Sequence, residues 1–214
     1  MSTHNQSKNQ QLIAELLSQN TAAQSTKATI LEAYLKIAVK EGTTALSLTR
    51  LAEELNISKQ LVRYHVPDLD QAALELFKIT ALTGASFTQK SIEGVIRWEE
   101  KVLSWIHATF DWVVAYPDFA KFLLFMYHRA SVDTEVKELH SKIVNTGRNR
   151  LKEVINSCPK KNIQNNSTQL TLIIHQLITA ALIEMLSMND IKNQASYKKT
   201  FILSTEYILG TRLK

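Results

Sequence analysis

Apolar side chains recur every three or four residues along most of this chain, which is the spacing of amphipathic helices. Glycine, proline and asparagine interrupt the pattern and divide it into segments. The segments predict helices over Thr26–Glu41, Leu48–Leu55, Lys59–Val66, Asp68 to about Thr83 or further, Ile92 to the break at Pro117, Phe119–Ala130, Thr134–Cys158, Thr168–Met188 and Ser196–Leu213, with a short helix at Gln11–Leu17.

The composition agrees with an all-α fold. The chain has 214 residues, of which 45% are apolar and 21% charged, so it can bury a core. It contains 5 Gly and 3 Pro, too few turn residues for a sandwich, a barrel or an alternating strand-helix fold. We therefore predict an all-α protein with an N-terminal three-helix head and a larger helical body.

The cysteine count and the apolar segments indicate in which cellular compartment the protein is expected. Cys158 is the single cysteine of the sequence, so no internal disulfide is expected. The start of the chain, Met1–Gln24, is polar and lacks the apolar run of a signal peptide. The most apolar run, Leu170–Met188, contains His175 and Glu184, which favours packing inside protein over lipid. We expect a cytoplasmic protein with no membrane span.

The second and third predicted helices have the pattern of a helix-turn-helix. Ser47 and Ser58 stand where N-caps are needed, and Asn56 stands at the corner, where asparagine tolerates the left-handed conformation. Small Ala52 lets the two helices cross closely. The third helix directs long hydrogen-bond donors outward, with no acidic residue among them, which suits phosphates and base edges. The candidate DNA-binding residues are Ser47, Thr49, Arg50, Ser58, Lys59, Gln60, Arg63, Tyr64 and His65.

Two motifs carry a resemblance to a known family. The runs ILEAYLKIAVKEG and LSLTRLAEELNISKQLVRYHV, with the proline and acidic start of the next helix, resemble the N-terminal signature of TetR-family bacterial transcriptional regulators over Ile30 to about Phe77. The resemblance implies that the third helix enters the major groove, that the fourth links head to body, and that the last two helices form a homodimer. It also implies a repressor that a small ligand releases from a palindromic operator.

Three positions depart from the family pattern. Arg63 stands where the family often has a phosphate-binding tyrosine, Leu69 where it often has a lysine, and Asn56 replaces the turn glycine. Arginine still binds phosphate and asparagine still permits the corner, but Leu69 donates no hydrogen bond.

The resemblance divides the chain into a flexible arm (1–24), a DNA-binding head (25–70) and a ligand-binding and dimerisation body (71–214). Aromatic residues dominate the first body helices, as in core packing and also in small-molecule pockets. We predict a largely apolar effector, oriented by histidine and threonine. The candidate ligand-binding residues are Trp105, Thr109, Trp112, Phe122, Met126 and His175.

The net charge and the absence of catalytic motifs are compatible with more than one class of function. The net charge of +5 is attributable to a basic cluster, Lys142–Lys161, interpreted as a solvated helix face. The sequence holds no phosphate loop, nucleophile elbow or zinc-ligand pair, so we expect neither an enzyme nor a metal or other cofactor. The alternatives are an all-helical carrier or enzyme that uses the histidines and aromatic residues of the body, and a DNA-binding architectural protein without an effector.

Overall fold

A computed structural model describes residues 7–17, 22–188 and 191–209 of the chain, and in these ranges all regular structure is helical. The helices are α1 Lys8–Leu16, α2 Ala22–Lys40, α3 Leu48–Leu55, α4 Lys59–His65, α5 Leu69–Ile92, α6 Trp98–Ala115, α7 Pro117–Arg129, α8 Thr134–Asn156, α9 Lys161–Asn165, α10 Ser167–Ser187 and α11 Ile191–Leu209. The prediction of an all-α fold is confirmed. A 3-10 turn, Thr43–Ala45, joins α2 to α3.

Helices α2, α3 and α4 form the head. Helix α2 is its centre and packs on both α3 and α4. Leu51 of α3 and Val62 of α4 are fully buried, and Ala52 is nearly so, whereas Leu61 of α4 is 38% exposed. Burying a side chain of this size contributes about 1.5–3 kcal/mol, which offsets the poor intrinsic stability of such short helices.

The corner between α3 and α4 depends on local backbone chemistry. Asn56 adopts φ 51° and ψ 45°, the left-handed conformation. Its backbone N–H donates to Glu53 O at 3.2 Å, and the N–H of Ile57 donates to Ala52 O at 3.0 Å, which satisfies the last carbonyls of α3.

Replacement of Asn56 tests this account of the corner. Asn56→Val is expected to lower the free energy of unfolding by about 1–2 kcal/mol, because β-branched residues fit the left-handed region poorly, whereas Asn56→Gly should not lower it. Urea unfolding followed by circular dichroism measures both. Asn149→Val on the exposed side of α8 is the control and should cost only a few tenths of a kcal/mol. Equal losses for the two valine variants would contradict the strain argument.

Helix α5 connects the head to the body. It has 24 residues and is therefore about 36 Å long. Asp68 caps it, accepting from the N–H of Asp70 at 2.7 Å. Its first turns lie against the head, where Lys27 of α2 pairs with Glu75 at 2.7 Å, and its later turns pack on α6. Helices α7, α8 and α10 cover the same body core, and α11 packs on α6 and α10.

The N-terminal segment differs from the prediction. Residues 1–24 were expected to be a flexible arm with at most a short helix, but Lys8–Leu16 form the packed helix α1. Ile13 is fully buried against the core, and the Lys8 ammonium lies 4.2 Å from the centroid of the Tyr116 ring. The expectation of a flexible arm is therefore wrong for residues 8–16, because apolar packing, the cation–π contact and a hydrogen bond from Gln10 to Thr29 of α2 hold them. Residues 1–6 and 18–21 lie outside the described ranges.

Three other boundaries differ from the predicted ones. Helix α6 begins at Trp98 rather than near Ile92, because Gly94 (φ 75°) interrupts the chain between α5 and α6. The expected loop before α10 contains the short helix α9. Helix α11 begins at Ile191, earlier than expected, and its predicted end at Leu213 lies outside the described residues.

Helix α10 is long and apolar enough in composition to cross a bilayer, a test that the core helices of soluble proteins also pass. One third of its most apolar 18-residue stretch is buried within the fold. The helix packs against α6, α7, α8 and α11. Ile174, Ala181 and Met185 form part of its buried side.

Candidate nucleic-acid interface and body cavity

Helix α4 presents four hydrogen-bonding side chains to the solvent. Ser58 accepts from the N–H of Leu61 at 3.1 Å and begins the helix, while buried Val62 fixes which side faces the core. The opposite side is exposed, and Tyr64 is 78% exposed. The exposed donors of this α4 face are Lys59, Gln60, Arg63 and Tyr64.

The charge of the α4 face is not neutralised. Among the residues that the structure describes, neither Lys59 nor Arg63 forms an ion pair, and α4 itself contains no acidic residue. His65 is half-buried, and its ring packs edge-on against Tyr64 with the centroids 5.0 Å apart. Two unpaired cations beside two neutral donors form a surface suited to a phosphate backbone.

A large cavity lies in the body. Its volume is about 460 Å³, within the range typical of sites for small organic molecules. Helix α5 lines one side with residues from Lys78 to Thr88, and α6 contributes Trp105 and Trp112. Helix α7 contributes Leu123 and Tyr127, and α8 and α10 complete the wall. The wall is predominantly apolar.

The polar groups of the wall are held in place by hydrogen bonds. The Trp112 Nε1–H donates to Thr83 Oγ1 at 2.9 Å, and Thr83 in turn donates to a backbone carbonyl of α5, which fixes the indole against that helix. Thr109 and Thr179 each donate to the carbonyl one turn earlier in their own helix. Their hydroxyl oxygens still have lone pairs that can accept from a ligand.

Solved structures were compared with this architecture. A TetR transcription regulator from Haloarcula marismortui matches with a TM-score of 0.70 and 17% identity over 88% of this chain and 98% of that one. A TetR-family regulatory protein from Rhodococcus RHA1 matches with a TM-score of 0.69 and 14% identity over 87% and 96%. The chain has the TetR fold.

A third solved structure has the same fold, although the sequence itself matches no known family. A structure from Saccharomonospora viridis, described as that of a transcriptional regulator in complex with choline, matches with a TM-score of 0.70 and 13% identity over 85% of this chain and 95% of that one. No family model matches the chain, and no curated protein matches its sequence. The resemblance drawn from Ile30 to Phe77 is thus confirmed as a likeness of fold.

Within this TetR fold, the predicted DNA-binding residues of α3 differ in availability. Thr49 is exposed. Arg50, however, donates to Glu41 Oε1 at 2.6 Å and lies 2.9 Å from a Glu54 carboxylate oxygen. The Arg50 hydrogen bond holds the pKa of Glu41 below its usual value. The pairing with Glu41 was missed because Glu41 lies outside α3, directly after the last residue of α2. It makes Arg50 a tie between the end of α2 and α3 rather than a free cation.

The serines and Leu69 also have structural roles. Ser47 and Ser58 accept from the N–H groups of Arg50 and Leu61, so their oxygens already cap α3 and α4. Their hydroxyl hydrogens remain able to donate. Leu69 is the first residue of α5 and is half-buried against the core, so apolar packing accounts for it.

Four of the six predicted ligand-binding residues line the cavity: Trp105, Thr109, Trp112 and His175. Phe122 and Met126 do not line it, and this part of the prediction is corrected. Both are fully buried in the core, and Phe122 packs edge-on against Tyr34 of α2 with centroids 6.3 Å apart. They belong to the layer between α7 and the head, a placement that depends on which side of α7 meets α2.

Several lining residues were missed by the sequence reasoning. Helix α8 contributes Lys142, Thr146, Gly147 and Arg150, although this stretch was interpreted as a solvated face. Their spacing of about four residues places them on one side of the helix, which was the available signal. Gly147 leaves a gap in the wall, since a Cβ added there would meet nothing within 4 Å.

His175 is the cavity-lining histidine. Burial, then the nearby positive charge of Arg148 and the proximity of His140, lower its pKa from 6.5 to about 4. It is therefore neutral at pH 7 and offers one donor and one acceptor. Among the described residues, no three His, Cys, Asp or Glu side chains are grouped as a metal site requires.

The lowered pKa of His175 predicts a pH dependence of stability. Between pH 4 and 6.5 the folded protein binds fewer protons at His175 than the unfolded chain, so the free energy of unfolding should rise with pH across this window. His175→Gln should remove at most about 3 kcal/mol of that rise. Urea unfolding at several pH values measures it, with exposed His128→Gln as control. Parallel curves for wild type and His175→Gln would contradict the prediction.

Proposed function

We propose that this protein is a DNA-binding transcriptional regulator that acts as a homodimer and is released from its operator by a small ligand. The observation that carries the proposal is the α4 face: two unpaired cations and two neutral donors, placed by a capped helix-turn-helix corner on a TetR fold. A solvated helix of no function has no need of such a corner. The proposal includes a cytoplasmic location and no catalytic activity.

The homodimer is supported by the outer surfaces of α10 and α11. Exposed apolar side chains lie on both helices: Leu172, Ile173, Ile183, Leu203 and Tyr207. Several exposed apolar side chains on neighbouring helices commonly mark an association site. We propose that two copies pack these helices as a four-helix bundle, which places the two α4 helices about one DNA turn, roughly 34–36 Å, apart or slightly more.

The coupling between ligand and DNA runs through α5. The middle of this helix lines the cavity, whereas its first turns contact the head and the α7–α8 junction. Arg129, at the end of α7, pairs with Asp70 and with Asp133 at 2.7 Å each. A ligand that displaces the α5 wall therefore moves the attachment of the head. Release then depends on how much more tightly the ligand binds the displaced state.

The choline found in the Saccharomonospora viridis structure suggests a cationic effector as one candidate. Aromatic rings such as those of Trp105 and Trp112 bind quaternary ammonium groups. In this chain, however, Lys78, Lys142 and Arg150 also line the cavity and repel a cation. We therefore do not extend choline binding to this protein.

Genomic selection tests the proposal. Sheared genomic DNA from the source organism is passed over the immobilised wild-type protein and over a Lys59→Ala/Arg63→Ala variant, and the retained fragments are sequenced. We expect a few enriched sites with inverted half-sites for the wild type alone. Enrichment of bent or AT-rich DNA without a common site would favour the architectural protein. Equal retention by both proteins would favour the carrier or enzyme.

A further inference from the structure

The cavity wall is unbalanced in charge. Three basic side chains line it, Lys78 from α5 and Lys142 and Arg150 from α8. Within the part of the chain that the structure describes, no aspartate or glutamate lines it. Lys142 and Arg150 lie on the same side of α8, about 12 Å apart along its axis. Over the described residues, a mainly apolar cavity is thus lined by three positive charges and no negative one.

Ion pairing in the body is confined to a few of its described cations. Arg97, Arg129 and Lys198 each lie within 4.0 Å of a carboxylate. Over the described ranges, the three cavity cations have no such partner. A cation beside low-dielectric walls is stabilised when an anion joins it, and the described wall of the cavity supplies no carboxylate for this purpose.

Arg148 adds to the same field from behind the wall. Its Nε is buried and has no hydrogen-bond partner among the described groups. The neighbouring imidazoles do not supply a negative charge, and His175 stays neutral near pH 7 because its pKa is about 4. The charged residues of the described wall are therefore all basic, and Arg148 adds a further positive charge near His175.

We propose that the cavity binds an amphipathic anion, with its charged head at Lys142, Arg150 and Lys78 and its apolar part against Trp105 and Trp112. This inference rests on the proposed function, because it takes the cavity to be the effector site. Arg150 can donate two parallel hydrogen bonds to a carboxylate or a phosphate. The indoles and the aliphatic side chains of α10 cover the apolar part.

Three ten-carbon probes that differ only in head group test the charge. Decanoate, decanol and decyltrimethylammonium are titrated below their micelle concentrations into wild-type protein without DNA, and tryptophan emission and calorimetry report binding. We expect decanoate to bind at least about tenfold more tightly than decanol, because it gains charge-assisted hydrogen bonds, and decyltrimethylammonium to bind most weakly. Decyl phosphate, titrated in parallel, distinguishes a phosphate head from a carboxylate head.

Variants locate the binding site. Lys142→Gln/Arg150→Gln should weaken decanoate by about tenfold or more and leave decanol unchanged. The control, Lys137→Gln/Lys161→Gln, removes two exposed cations of α8 and α9 that do not line the cavity, and should leave both ligands unchanged. Gly147→Leu adds a side chain where a Cβ meets nothing within 4 Å, and it should occupy cavity space and abolish binding of every probe.

Each contrary result is decisive. Equal affinity for decanoate and decanol, tighter binding of decyltrimethylammonium, or absence of decanoate binding would overturn the proposal. Decanoate binding that survives Gly147→Leu would also overturn it, since the anion would then lie outside the cavity. These titrations contain no DNA, so a negative result would not contradict the DNA-binding role of α4, which the genomic selection tests separately. Failure of that selection likewise leaves the titrations interpretable.

Discussion

Aspartate in place of Ile173 and Ile183 is expected to convert the protein from a dimer into a monomer. The two side chains are 42% and 54% exposed on α10, on the surface that we propose to be the dimer interface. Each carboxylate appears twice in a symmetric interface, where burial of an unpaired charge costs several kcal/mol. The dissociation constant should therefore rise by about 10³-fold or more.

Sedimentation velocity at micromolar concentration measures this effect. The matched control is Ile96→Asp/Val132→Asp, which places the same two charges at isoleucine and valine positions that are 91% and 84% exposed in connecting segments. This control should remain a dimer. A dimeric Ile173→Asp/Ile183→Asp variant, or a monomeric wild type, would show that α10 is not the interface. Helical content by circular dichroism distinguishes dissociation from unfolding.

Loss of Arg63 should weaken operator binding about 10²-fold at moderate salt if each Arg63 contacts a phosphate, because a dimer loses two charge-assisted contacts. The slope of log affinity against log salt should become shallower by about 1.8, since two fewer counterions are released. If Arg63 instead reads a guanine, the slope stays nearly constant and discrimination at one base pair falls by about 1–3 kcal/mol.

Fluorescence anisotropy with the selected operator at four salt concentrations separates these outcomes. Lys90→Ala is the matched control. It removes one exposed cation at the far end of α5, about 32 Å along the helix from Leu69. The control should change neither affinity nor slope appreciably. Unchanged affinity, slope and base discrimination for Arg63→Ala would mean that α4 does not lie on DNA, and the carrier interpretation would replace the regulator.

The residues that line the cavity could be predicted only in part from the sequence. Periodicity places Trp105, Thr109 and Trp112 on one side of α6, but it does not show whether that surface meets a neighbouring helix or a cavity. Phe122 and Met126 satisfy the same aromatic and apolar pattern and lie in the solid core instead. A cavity arises where several helices fail to close on each other, and that depends on long-range packing.

The amino-acid sequence by itself determined the helices and the corner of the head. Caps, left-handed residues and a repeat of three to four positions act within a few residues, so Ser47, Asn56 and Ser58 could be assigned without coordinates. Only the tertiary structure decided which charges are free. Arg50 is paired with Glu41, which follows the end of α2, while Arg150 of an apparently solvated cluster lines the cavity. Electrostatic partners are set by distance in space, which connects residues that local patterns treat separately.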